Sequence, residues 1–553
     1  MALQPMPNTL PYWTNGPAPD RRNLICGLLA LLLAGPAHAL VDVPEGALLW
    51  LQGFDGNPPT PGFRVDGTVL LRSVDDIANI GINLSSGAIT NSPTGEIRSE
   101  VGVSGNRFIN GSVINQGLVQ LDSPTTFGAA AARFENSGRF EVGPGARAQF
   151  TGSGGRFAQL AGEMNVGDSG FELYDGQFEF SGGVITGQPL LVRTAVKGPT
   201  NGQPFRPRLV GPSGSYEGPL AAGVHVRALS AVGLGGDTAV TLVGPGELVG
   251  HLETGFFSGG TVRLSMTAGT LWVRPAGQLT IGVPTVLTGN WLIDGQVQLG
   301  GDLTVNNGGG TATNRATVRV SPGRTLSFQG GFRHEAGDLS LLGGTLVAPG
   351  GIFLAVPVEE LAGEIRGPVT NAAAVTLSQS MGGLRIVGAW ANQPGARLRW
   401  VLSEPESEEP LLAVAGAHSV AGEGRVELES GFVPPLGARF PLLRHQVLTG
   451  QFEAITLPPL PAGLFWNLER RPDRWDLLVQ DEPAPGQLAI TRIESDYAVE
   501  LTATPGASAT LLQSSDLVTW APVRTEAPFP GHLNFRAPAG DGAAQFFRAV
   551  VTP

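Results

Sequence analysis

Along most of this chain apolar and polar residues alternate in short runs, and one five-residue template recurs: glycine, any residue, apolar, any residue, apolar. It stands at Gly117 (Leu118, Val119, Gln120, Leu121), Gly138 (Arg139, Phe140, Glu141, Val142), Gly162 (Glu163, Met164, Asn165, Val166) and Gly176 (Gln177, Phe178, Glu179, Phe180). Further copies begin at Gly67, Gly260, Gly269, Gly277, Gly295, Gly301, Gly337 and Gly424. A period of two marks a strand that buries one face. The glycine before it lets the chain turn sharply, because glycine tolerates positive φ.

The steps between copies are 21, 24 and 14 residues from Gly117, and 18 from Gly277 to Gly295. One coil of a parallel β-helix uses about this many residues, and such periods are solenoid signatures. A β-sandwich or propeller would share the alternation, but no blade signature recurs. The fold class expected is therefore all-β, a right-handed parallel β-helix (solenoid) followed by a small β-sandwich-like C-terminal module. Stacking the copies predicts an inward column of Val119, Phe140, Met164 and Phe178, and beside it Leu121, Val142, Val166 and Phe180. Gln120, Glu141, Asn165 and Glu179 form an outward, mostly polar row. Each coil leaves apolar surface for its neighbour, so stability sums over adjacent coils.

Composition agrees with this picture. The 553 residues include 80 Gly and 44 Pro, yet 42% are hydrophobic, which excludes a disordered chain. Glycine does not fall at every third position, which excludes collagen. Only 15% of residues are charged, Lys197 is the only lysine, and the net charge is −12. Such a chain repels nucleic acid and anionic lipid.

Residues 1–39 read as a signal peptide. Arg21 and Arg22 precede an apolar run from Leu24 to Ala34, followed by Ala37-His38-Ala39. The run is too short to span a membrane, which takes about 20 residues, and no later run is long enough. Cleavage after Ala39 removes Cys26, the only cysteine, and with it any disulfide, thiol nucleophile or cysteine metal site. Export to the extracellular space or the cell envelope follows.

Beyond the leader, 40–400 are expected to hold the solenoid repeats, 401–480 a solenoid-closing β segment and 486–553 the C-terminal module. Gly198 to Pro219, rich in Gly and Pro, reads as a long loop thrown out from the solenoid. Ser403 to Pro410 (SEPESEEP) reads as an acidic loop, and Gln480 to Gly486 (QDEPAPG) as a linker. Trp520 with Phe546 or Phe547 is expected in the core of the module.

Two C-terminal stretches carry a resemblance. Arg425 to Val479 contains Gly437, Phe440, Leu442 and Leu443, then Gly450-Gln451-Phe452, Leu464-Phe465-Trp466 and a last strand Trp475 to Val479. It resembles the closing segment of secreted bacterial β-helix proteins of the autotransporter-passenger type. Leu511 to Trp520 (LLQSSDLVTW) with Ala544 to Val551 (AQFFRAVV) is similar to a small C-terminal β-module of exported bacterial proteins, in which an S-x-DL-x-x-W strand precedes a terminal FYR strand. Phe547 replaces the tyrosine of that last motif. Fewer than 70 residues follow Gly486, so the resemblance implies passenger-like architecture lacking the membrane barrel.

Candidate chemistry is sparse. Polysaccharide-cleaving β-helices need acids and bases gathered on one outward face. Glu141 and Glu179, at equivalent outward template positions, are the only catalytic candidates, and a solvated strand face is the plainer reading. Asp168 and Asp175 flank the same coil and read the same way. His225, His251, His334, His418, His445 and His532 are scattered without zinc-ligand spacing, and H-E-x-x-H is absent. Gly300 to Gly310 lacks the order of a calcium-binding glycine repeat and reads as a turn. Trp272, Trp291, Trp390 and Trp400 could stack on sugars but fit core or coil-edge positions better. No cofactor or metal site is expected. Two functions remain: a structural or adhesin-like surface protein contacting polysaccharide or cell-surface components, and a carbohydrate-active lyase or hydrolase. The residues lean away from an enzyme.

Overall fold

A computed structural model describes residues 42–552, apart from 52–59, 74–78, 104, 169, 232–236, 245, 360, 404–407, 482–486, 494–495, 503–507, 516, 528–531 and 539–544. The leader read at 1–39, the middle of the acidic loop and most of the linker lie outside the described residues. The protein is all-β, 60% strand and 1% helix, and its body is a parallel β-solenoid of about 16 turns. Among the described residues no helix is long and apolar enough to cross a membrane.

Two successive coils show how the alternating sequence is used. Leu118–Leu121, Thr125–Phe127 and Arg133–Asn136 form the three faces of one coil. Arg139–Val142, Ala148–Phe150 and Arg156–Gln159 form those of the next. Each strand lies parallel to its counterpart. On the first face, Val69, Ile97, Val119, Phe140, Met164 and Ile185 stack in register. All six are buried. Val119, Phe140 and Met164 thus stack as expected.

Phe178 does not join them. It lies on the third face, paired with Phe157 and Val196, and Phe180 lies there too, opposite Gln159. The 14-residue step from Gly162 to Gly176 is shorter than a coil, so the two template copies are different faces of the same turn. On the third face Phe134, Phe157 and Phe178 stack ring upon ring, with centroids 5.1 and 5.5 Å apart, and Phe205, whose backbone bridges Val224 at the start of the second face, lays its ring 5.6 Å from that of Phe178. Such pairs add about 0.5–1.5 kcal/mol each beyond area burial. Phe205 comes from the Gly/Pro-rich stretch, which is not thrown out of the solenoid. Its strands Arg208–Val210 and Gly214–Glu217 pair with the coils on both sides. Proline and glycine fit the corners between strands of three or four residues, where no ladder hydrogen bond is lost.

The template glycines have a steric cause. A Cβ on Gly117 would land on the carbonyl oxygen of Gly95, one on Gly138 on that of Gly117, and one on Gly162 on that of Gly138. Successive corners therefore touch backbone to backbone. Gly162 has a φ of +65°, whereas Gly117 and Gly138 have ordinary φ, so close approach, not turn handedness, excludes a side chain there. Just before this corner runs a buried polar ladder. Asn91 Nδ2 donates to Asn115 Oδ1 (2.7 Å), Asn115 to Asn136 Oδ1 (2.6 Å) and Asn136 to Gln159 Oε1 (2.7 Å). Asn115 and Asn136 also donate to the carbonyls of Arg139 and Glu163 in the next coil. These amides satisfy backbone groups that the turn would otherwise leave buried and unpaired.

Parallel coils continue through Leu412–Val420 and Arg439–Gly450. They then give way to an antiparallel hairpin, Leu464–Arg470 with Arg474–Asp481, whose second strand pairs with Arg439–Arg444. Asp476, 1% exposed, is ion-paired there with Arg439 and with Arg474 (3.1 Å). An antiparallel strand across the last coil covers an edge that another chain could otherwise extend. After the linker come two three-stranded antiparallel sheets. Their buried residues include Val499, Leu501, Ala509 and Leu511. Trp520, Phe546 and Phe547 are only half-buried, and the core cluster is Leu501 and Ala509 with Leu488, Ala549 and Val551 against it.

Candidate functional site

Glu141 and Glu179 are not brought together. Glu141 lies on the first face, between Gln120 and Asn165, and pairs with Arg139 (2.5 Å). Glu179 lies on the third face, between Ala158 and Lys197, and is ion-paired with Arg156. A hydrogen bond from Ser181 (2.6 Å) and the Arg156 guanidinium hold its carboxyl below the usual range. Two carboxylates on different faces cannot flank one glycosidic bond, whose pair stands about 5–10 Å apart. Asp175 is clamped by Arg193 through two hydrogen bonds (2.6 and 2.7 Å), while Asp168 is exposed.

The tryptophans and the glycine-rich turn also resolve. Trp291, Trp390 and Trp400 are core residues. Trp272 is half-buried, donates to Asp294 (2.6 Å) and lies under the Arg274 guanidinium. In Gly300 to Gly310, Asn307 closes a tight turn by donating to the Gly310 carbonyl (2.6 Å). These groups are occupied by structure.

Among the described residues, the second face gathers His225, His251 and Glu253 into one cluster. Its strands His225–Ser230 and His251–Phe256 lie in register, so His225 sits over His251 and Arg227 over Glu253. The alternation that points Val226 and Leu252 inward points His225, Arg227, His251 and Glu253 outward. The two imidazole rings stack, centroids 4.0 Å apart and 15° from parallel. His225 Nε2 lies 2.9 Å from Glu253 Oε2, and Arg227 Nη2 donates to Glu253 Oε1 at 3.1 Å. His251 Nε2 lies 3.0 Å from the Thr280 hydroxyl in the following coil. The hydrogen bond from His225 and the Arg227 charge bring the Glu253 carboxyl down to about 2, despite partial burial. Burial and the neighbouring His225 lower the His251 pKa, which favours the neutral imidazole. Ligand atoms of His225, His251 and Glu253 all lie within 4.8 Å of one another.

Outward positions of the same face continue the row. Glu172, Leu190, Arg208, Arg227 and Glu253 follow one another in register. Glu172 accepts from Gln149 (3.2 Å) and Tyr174 (3.0 Å) and pairs with Arg147 (3.2 Å). Four coil spacings separate Glu172 from Glu253, roughly 19 Å, again too far for a glycosidase pair.

By linear spacing alone the histidines look scattered. The readable signal is a repeated pattern 26 residues apart: His225-Val226-Arg227 and His251-Leu252-Glu253, each histidine–apolar–charged. Three other histidines are internal. His334 Nδ1 accepts from Asn314 Nδ2 (2.9 Å), and burial lowers its pKa to about 4. His418 and His445 are buried, and their ring nitrogens lack hydrogen-bond partners among the described residues. Burial, helped by His445, lowers the His418 pKa to about 3. No family model matches this chain, and no curated protein or solved structure matches it either.

Proposed function

We propose that this chain is an exported structural or adhesin-like protein of the cell surface or extracellular space, a stiff rod offering long lateral faces for repeated weak contacts. One observation carries the reading: a single core cluster runs from Val43 to Val479 through every coil. About 16 turns at roughly 4.8 Å each make a body about 75 Å long. Cross-strand pairs such as Arg315–Glu335, Arg385–Glu364 and Arg397–Glu423 neutralise charge along its surface. Polysaccharides and other cell-surface components are the partners this surface suits. The leader at 1–39 supports export, and N-terminal sequencing of the exported protein should begin at Leu40.

The carbohydrate-active alternative keeps one observation in its favour, the outward row of Arg208, Arg227, Glu253 and His225 on a single face. One assay separates the two readings. Purified protein is incubated with a panel of acidic and neutral polysaccharides, measuring both retention and chain length. Saturable binding with unchanged chain length is the expected result. Reproducible depolymerisation, lost in Glu253→Gln or in Glu141→Gln/Glu179→Gln, overturns the structural reading.

A further inference from the structure

We propose that His225, His251 and Glu253 form a binding site for one divalent transition-metal ion of the zinc or copper class on the second face of the solenoid. The parallel ladder places the two histidines at equivalent positions of neighbouring coils, and strand spacing holds their backbones about 4.8 Å apart. Glu253 stands two residues beyond His251 on the same outward face. All three ligand atoms already lie within 4.8 Å of one another. Around an ion bonded at about 2.0–2.1 Å, tetrahedral ligand atoms stand about 3.3–3.4 Å apart. The remaining closure is of side-chain size and needs no backbone shift.

The surroundings define the site. Glu253 uses Oε1 to accept from Arg227 and turns Oε2 toward His225 Nε2. Arg227 thereby fixes the carboxylate from behind, as outer partners orient ligands in metal centres, and its charge is neutralised by the same contact. The ion takes the place of the hydrogen between His225 Nε2 and Glu253 Oε2. An imidazole binds metal in its own ring plane, and the stacked rings are nearly parallel, so one must turn about its Cβ–Cγ bond. The side chains of His225 and Glu253 are 26% and 22% exposed, which leaves the solvent side open for that turn. Two imidazoles with one carboxylate select zinc, copper or nickel over magnesium and calcium, which favour all-oxygen sites. Three protein ligands leave a fourth position facing solvent, the pattern of an open site.

The test uses the full chain, purified without a histidine tag and stripped with a chelator, then titrated with zinc chloride by calorimetry. Saturable binding is expected, weakened at least tenfold in His225→Ala and in His251→Ala, with no heat from calcium chloride. With cupric ion, electron paramagnetic resonance should show coupling to two nitrogens in the wild type and to one in each single variant. His251→Gln keeps a polar group opposite Thr280 and serves where the alanine variant melts early; it too must lose affinity. Absence of saturable zinc and copper uptake overturns the site, as does wild-type affinity in the His225→Ala/His251→Ala double variant.

Discussion

The two ends of the solenoid handle buried polar groups in opposite ways. Near the start, Asn115 accepts from Asn91 and donates to Asn136 and to the Arg139 carbonyl, while the phenylalanine stack fills the space beside it. Near the end the amide ladder is shorter. Asn371 donates to Asn392 Oδ1 (3.0 Å), which also accepts from Trp390 (2.9 Å). The next coil places His418 directly over Trp390, and His418 and His445 are buried without partners among the described residues. A satisfied buried network rigidifies a core, and an unsatisfied polar group costs about 1–3 kcal/mol. The first coils thus hold their ladder amides in bonds, Asn91 Oδ1 excepted, and the later coils carry buried histidines that acid can charge.

The largest effect expected is from Phe140→Asp, which buries an unpaired charge between Val119 and Met164. It should cost about 4–5 kcal/mol in denaturant unfolding, and wild-type stability would falsify this register. Asn115→Ala comes next. It leaves Asn91 Nδ2 with only the Leu118 carbonyl and takes the Asn115 donor from Asn136 Oδ1 and the Arg139 carbonyl, at about 2–4 kcal/mol. If it proves as mild as a surface change, the ladder does not hold the coils.

Acid acts on buried histidines farther along the solenoid. The folded pKa values of His334 and His418, about 4 and about 3, lie below the unfolded value of 6.5. Each histidine's contribution is therefore whole above pH 6.5 and is lost as pH falls toward the folded value. By pH 5 the loss is about 2 kcal/mol per histidine, read from melting temperature against pH. His418→Leu should flatten that profile and raise stability near pH 7 by about 1 kcal/mol. An unchanged profile would place the acid sensitivity elsewhere. The smallest effect belongs to Glu141→Gln, which removes a half-exposed pair with Arg139 and should shift stability by under about 0.5 kcal/mol. A loss above about 2 kcal/mol would show that the outer rows share in holding the coils.

The period-two alternation alone determined that the chain forms short strands with one buried face, and coil-length spacings determined that they stack as a solenoid. Val119, Phe140 and Met164 were legible as one column because whole coils of 21 and 24 residues separate them. The N-x-G corners, Asn115-Gln116-Gly117 and Asn136-Ser137-Gly138, were equally readable signs of the amide ladder. Tertiary structure decided which strands are neighbours. Three faces share each coil, and corners of varying length join them, so one template can open any face. Phe178 accordingly left the Met164 column for that of Phe157, and Glu179 went with it, away from Glu141. The same packing carried Phe205 from a Gly/Pro-rich stretch into the core and set His225 over His251 across 26 residues. Side-chain alternation is dictated locally by backbone geometry, whereas register between coils is settled only when the summed corner lengths and the interior packing of all three faces are satisfied together.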